Sequence, residues 1–108
     1  MKEDLKKDFI WHRAIEIPEQ DGEKVRKDCA GAIIHWDEYE QDSEYGWTIV
    51  PLVPYSKGGS DSLMSLMPYH VRNAASKGID FPKYKTVLSS VGMENKENVQ
   101  YWDFMELL

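Results

Sequence analysis

A chain of 108 residues with 42% hydrophobic content has material for one packed core and not for two, so residues 1–108 are expected to form a single domain. The single cysteine, Cys29, excludes an intrachain disulfide and a four-thiolate zinc site, which leaves packing to hold the fold. A formal charge of −6 works against binding phosphate backbones, while the charged opening MKEDLKKDFIW and the lack of a long apolar run point to a soluble protein of the reducing cytoplasm with no membrane contact.

Leu5, Phe9, Ile10, Ala14 and Ile17 recur at a rough helical spacing over residues 2–17, which predicts a short helix or an extended arm stopped by Pro18. The polar stretch PEQDGEKVRKD holds a turn signal at Gly22. After it, residues 29–36 (CAGAIIHW) are small and β-branched, as a buried strand requires. Acid then concentrates in residues 37–44, DEYEQDSE, whereas Arg72, Lys77, Lys83 and Lys85 make the second half more basic. Two solvated faces, or one local basic face, would both fit that asymmetry.

Residues 45–53 (YGWTIVPLV) suit a second strand, at an edge or bulged where Pro51 cannot donate to a ladder. PYSKGGSD, residues 54–61, is a loop by composition. A brief apolar stretch over 63–67 follows, and Pro68 is placed to open a helix through Tyr69, His70, Val71, Ala74 and Ala75 to Gly78. In the tail, Phe81, Tyr84, Val87 and Leu88 are expected to pack back, with a helical ending from about Asn95. Trp11, Trp36, Trp47 and Trp102 could present a base-stacking surface, but in so small a domain they are read as core.

Residues 45–78, YGWTIVPLVPYSKGGSDSLMSLMPYHVRNAASKG, resemble the HNH nuclease motif Y-G-W-E-I-D-H-I-x-P-x-S-K-G-G-x-D-x-L-x-N-L-x-P-L-H-W-x-N-N-x-x-K without a gap. Tyr45, Gly46, Trp47, Ile49, Pro54, Ser56, Lys57, Gly58, Gly59, Asp61, Leu63, Leu66, Pro68, His70, Asn73 and Lys77 carry the match. The flanking segments IW with RAIEI, RKDCAGAII and ASKGIDFPKY are similar to small bacterial members of the family, so the likeness covers most of the chain. It implies an α+β domain built on the ββα-metal, or His-Me finger, core, a hairpin plus helix gripping one divalent cation, here with flanking N- and C-terminal helical segments.

The chemistry implied by the family is missing at the matching positions. Phosphodiester hydrolysis needs a base to deprotonate water and a ligated cation to neutralise developing charge. The acidic ligand and the general-base histidine of the family fall on Val50 and Pro51, the orienting asparagine on Ser65, and the helical ligand on Ala74. His70 with Asn73 remains beside them, and one imidazole without a carboxylate makes a poor magnesium site, so His70 is assigned a structural or surface role. No catalytic residue, metal or cofactor is therefore expected.

Other chemistry is weaker still. Ser60, Asp61 and His70 are triad residue types without a nucleophile elbow or oxyanion hole. Cys29, among Ala30, Gly31 and Ala32, reads as buried and inert.

Three functions follow. The first is a non-catalytic module binding an unidentified protein, or a copy of itself, through Trp36, Asp37, Glu38, Tyr39 and Glu40. The second is a nucleic-acid binder that no longer cleaves, using Lys57, Arg72, Lys77, Lys83 and Lys85. The third is an enzyme with replaced catalytic groups drawn from Asp61, His70 or Asp80.

Overall fold

A computed structural model describes residues 3–104 as two α-helices and three antiparallel strand pairs. Helix α1 covers Glu3–Trp11. It buries Ile10 and Trp11 and stops before Ala14 rather than running on to Pro18. The reason is a competing bond pattern: Ile15 pairs with Lys27, exchanging N–H and carbonyl bonds of 2.8 and 2.9 Å, which fixes the chain as extended there.

Strand β1 (Val25–Lys27) pairs with β2 (Ile33–His35). Only β2 was expected, and it is shorter than the 29–36 run, because residues 29–32 turn around the buried carboxylate of Asp28. Charge concealed β1, since its central residue is Arg26. That side chain is buried, and its guanidinium donates to the Gly22 and Ala14 carbonyls at 2.7 and 3.1 Å and to Glu16 at 3.1 Å.

Strand β3 (Trp47–Pro51) pairs with β4 (Leu66–His70), and helix α2 (Val71–Lys77) follows β4 directly. The register sets Trp47 opposite His70, Ile49 opposite Pro68 and Pro51 opposite Leu66. Pro68 thus lies inside a strand, contrary to its expected place at the helix start. A two-stranded sheet has only edges, so a residue without an N–H costs it no interior ladder bond. The helix begins three residues later, where Nδ1 of His70 accepts from the Arg72 N–H at 3.1 Å.

The expected helical ending is also overturned. Strand β5 (Lys83–Val91) and strand β6 (Glu94–Asp103) form the longest hairpin of the molecule. Val91 pairs with Glu94 across a two-residue loop that Gly92 opens at φ 58°, a left-handed conformation suited to tight hairpins. Val99, Tyr101 and Trp102 add β propensity that outweighs the helix-forming Glu and Lys around them.

The core joins these layers. Trp11, Ala14, Ile34 and Trp47 form its centre, with Trp36, Tyr39 and Ile49 packed against it. Trp11 and Trp47 meet at 5.0 Å between ring centroids, which confirms a core role for both. A second buried contact links β4 to β5, where the hydroxyls of Tyr69 and Tyr84 are hydrogen bonded at 2.8 Å.

Candidate functional site

The first site to test is the strand-strand-helix unit formed by β3, β4 and α2. Its loop end is made by a bond from the Leu52 N–H to the Ser65 carbonyl at 2.9 Å, beside the Pro51 and Leu66 pair. Val50, Pro51 and Ser65 therefore lie near one end of the hairpin, with Val50 and Pro51 on opposite faces of β3, and α2, which carries Ala74, packs on β3. Of these four side chains only serine has a lone pair, and its Oγ lies 3.3 Å from that of Ser60.

His70 sits at the opposite end of the hairpin. Three residues separate it from Met67, the partner of Val50, which is about 10 Å along a strand. Both ring nitrogens are engaged. Since Nδ1 accepts from Arg72, Nε2 carries the proton and donates to the Glu44 carbonyl at 2.7 Å. Burial holds the imidazole below its ordinary pKa, so the neutral ring is the folded form. Binding a cation would require breaking one of those bonds. His70 is a joint between the 37–44 loop and α2, and Asp61 and Asp80 lie exposed, one in the loop and one beyond the helix.

A polar hub that sequence reasoning missed lies behind this unit. Asp28 is fully buried and accepts from the N–H groups of Ala30, Ala32 and His70 at 3.0, 2.9 and 3.0 Å. Its fourth donor is Nδ2 of Asn73, at 2.9 Å. Asn73 continues the network: the amide also donates to the Leu88 carbonyl at 3.0 Å, and its oxygen accepts from Val87 and Leu88, each at 2.9 Å. Those contacts fall at the bulge of β5, where the register slips between Thr86 and Leu88. Burial pushes the Asp28 carboxyl above the usual carboxylate range, and bonds from Asn73, His70 and Ala32 pull against it. Asn73 is thus a scaffold residue that fastens α2 to β5 directly and, through Asp28, to the turn after β1 and to β4.

The five cations expected to meet phosphate separate into different environments. Lys57, Lys83 and Lys85 are exposed. Arg72 is exposed and pairs with Glu97 at 2.6 Å. Lys77 is a correction: it is buried, with Nζ 5.1 Å from the Tyr84 ring centroid, because the stem packs under β5 instead of reaching solvent. Desolvation lowers its pKa, and it offers no surface charge to a ligand.

The acidic segment is better presented than its aromatic residues. Asp37 and Glu40 are exposed, while Glu38 is half-buried and held by His35 at 3.1 Å and the Ser43 hydroxyl at 2.7 Å. Trp36 and Tyr39 turn inward onto Trp47, and Nζ of Lys7 covers both rings at 4.4 and 4.9 Å. They support the acidic rim rather than project from it.

Cys29 is half-buried, and burial pushes its thiol up to about 11, leaving almost no thiolate at neutral pH. The one cluster of three metal-ligand types among the described residues is Asp8, His12 and Glu23, far in sequence from the hairpin and exposed throughout. A plain ion pair accounts for it, as His12 Nε2 lies 2.9 Å from Glu23, whose hydrogen bond raises the imidazole pKa. No helix of the described residues is long and apolar enough to cross a membrane.

Compared with protein-family models, with curated proteins and with solved structures, the chain finds no match. The likeness to HNH nucleases rests on the motif and flanking residues of the sequence alone.

Proposed function

We propose that this chain is a catalytically inactive HNH nuclease-like protein acting as a non-catalytic binding or regulatory module through protein contacts. One observation carries the reading: the motif positions at the loop end of the hairpin hold Val50, Pro51 and Ser65, none of them a carboxylate or an imidazole, and the imidazole of His70 at the other end is engaged at both nitrogens. A scaffold kept while its reactive positions are apolar is suited to contact rather than cleavage. The contact surface is the acidic rim at Asp37 and Glu40, next to Trp36 and Tyr39, which pack on Trp47.

The test is capture from native lysate on the immobilised chain, before and after nuclease digestion. A protein retained after digestion, and released by the Asp37→Lys, Glu40→Lys double variant, is the expected result. Capture only while nucleic acid is intact, or none, overturns the reading.

A second reading has one specific support. Tyr101 is 77% exposed and pairs with Lys85 next to the Lys83 and Asp103 pair, so the outer face of the β5–β6 hairpin sets an aromatic ring beside two exposed lysines. A non-cleaving nucleic-acid binder would use that face. Its affinity would fall steeply with added salt, as contacts of Lys83 and Lys85 with phosphate release counterions. An enzyme with replaced groups finds less support, because His70, Asp61 and Asp80 do not converge.

A further inference from the structure

We propose that the cleft beside Arg13 is a binding site for a small monocarboxylic acid with an apolar body. Arg13 follows α1 and lies against the hairpin, and its guanidinium is incompletely matched there. Nε and Nη2 each lie 3.2 Å from the Met67 sulfur, and Nη1 lies 3.8 Å from that of Met64. A thioether is a weak acceptor, whereas a guanidinium presents five donors in a planar fork that a carboxylate satisfies two at a time. The other two arginines of the chain show the usual outcome: Arg26 bonds Glu16 at 3.1 Å and Arg72 bonds Glu97 at 2.6 Å. Among the described residues no carboxylate pairs with Arg13.

A cleft of about 300 Å³ opens at this cation, between Ile15, Cys29, Met67, Pro68 and Trp102. Its size is at the small end of ligand pockets, and its lining follows their usual composition, apolar walls with one polar group to orient the guest. A single positively charged residue in the lining, Arg13, fits one carboxylate and not a polyanion, which the net charge of −6 also disfavours. Protonated, the Cys29 thiol adds no negative charge to oppose the acid and serves as part of the apolar wall. The acid group would bridge to Arg13, and the body would lie between the Trp102 ring and the Met67 and Pro68 side chains.

Phenylacetate and its neutral amide, phenylacetamide, test this on the intact chain by titration followed in backbone and side-chain NMR. Saturable one-site binding of phenylacetate is expected, with resonances of Cys29 and Trp102 shifted and the amide bound at least about tenfold more weakly. Arg13→Gln should bring the acid down to the affinity of the amide. Cys29→Met, which fills the cleft without touching the cation, should weaken both. Failure of phenylacetate to saturate, equal binding of acid and amide to the unaltered chain, or shifts that spare Cys29 and Trp102 would each overturn the site. An acid preference surviving in Arg13→Gln would do the same, and needs no assumption about folding beyond an unchanged circular dichroism spectrum.

Discussion

Asp28 accepts four hydrogen bonds, none from a cation, so its worth lies in satisfying donors on three different elements at once. Asparagine is nearly the same shape but replaces one acceptor oxygen by an NH₂ group, which would face the His70 N–H and the Asn73 amide, or in the other orientation the Ala30 and Ala32 N–H groups, as donor against donor. Asp28→Asn should therefore cost on the order of 3 kcal/mol, read from urea unfolding with an unchanged dependence on denaturant. A loss below about 1 kcal/mol would mean that water or local shifts replace the hub. His70 makes a second statement at this scale. Its folded pKa lies below the ordinary value of 6.5, mainly through burial, so the unfolded chain binds the extra proton first. The stability it protects is whole above pH 6.5 and is lost as pH falls through the lowered folded value. His12 has the opposite sign: the bond to Glu23 raises its pKa, and its contribution is whole below 6.5 and lost as pH rises through the raised value. Replacing His70 by glutamine, which can still accept from Arg72 and donate to Glu44, should flatten stability against pH on the acid side of 6.5 and leave the alkaline side as it was. Thermal melts across that range decide it, and an unchanged acid slope would remove His70 from the account.

At the scale of elements, the motif glycines separate by physical cause. A Cβ on Gly46 would run into the Gln41 carbonyl, and one on Gly59 into the Val53 carbonyl, whereas Gly58 has open space and only its φ of 93° to defend. Gly59→Ala should accordingly cost more than Gly58→Ala, the latter about 1 kcal/mol, as chemical denaturation would show. The reverse order would mean that the 54–61 loop does not hold the described path. The hairpin and following helix were legible because turn residues and alternating apolar positions are local signals. Three features were not. β1 was concealed by Arg26, whose burial depends on carbonyls brought together from residues 14 and 22. β6 was concealed by its Glu, Asn and Lys content, although Gly92 marked the turn before it. Asp28 resembled any acidic loop residue, since its donors come from segments up to 45 residues away in sequence. Lys77 was misread for the same reason: a cation in a helix pattern gives no hint of the β5 surface that covers it.

For the whole molecule, the residue types at the positions matching the HNH motif are read from the sequence, and the fold adds where they lie relative to one another. Val50, Pro51 and Ser65 share one end of the hairpin, His70 is bound at the other, and Asp28 with Asn73 ties the helix to the rest of the domain. At the surface, Lys77 is buried and Arg72 pairs with Glu97, while Lys57, Lys83 and Lys85 and the acidic residues Asp37 and Glu40 lie in solvent. The most direct test is incubation of the purified chain with supercoiled plasmid in the presence of Mg²⁺ or Mn²⁺, with and without EDTA. The plasmid should remain supercoiled in every lane; nicking that EDTA abolishes, and that follows the chain through purification, would contradict the account.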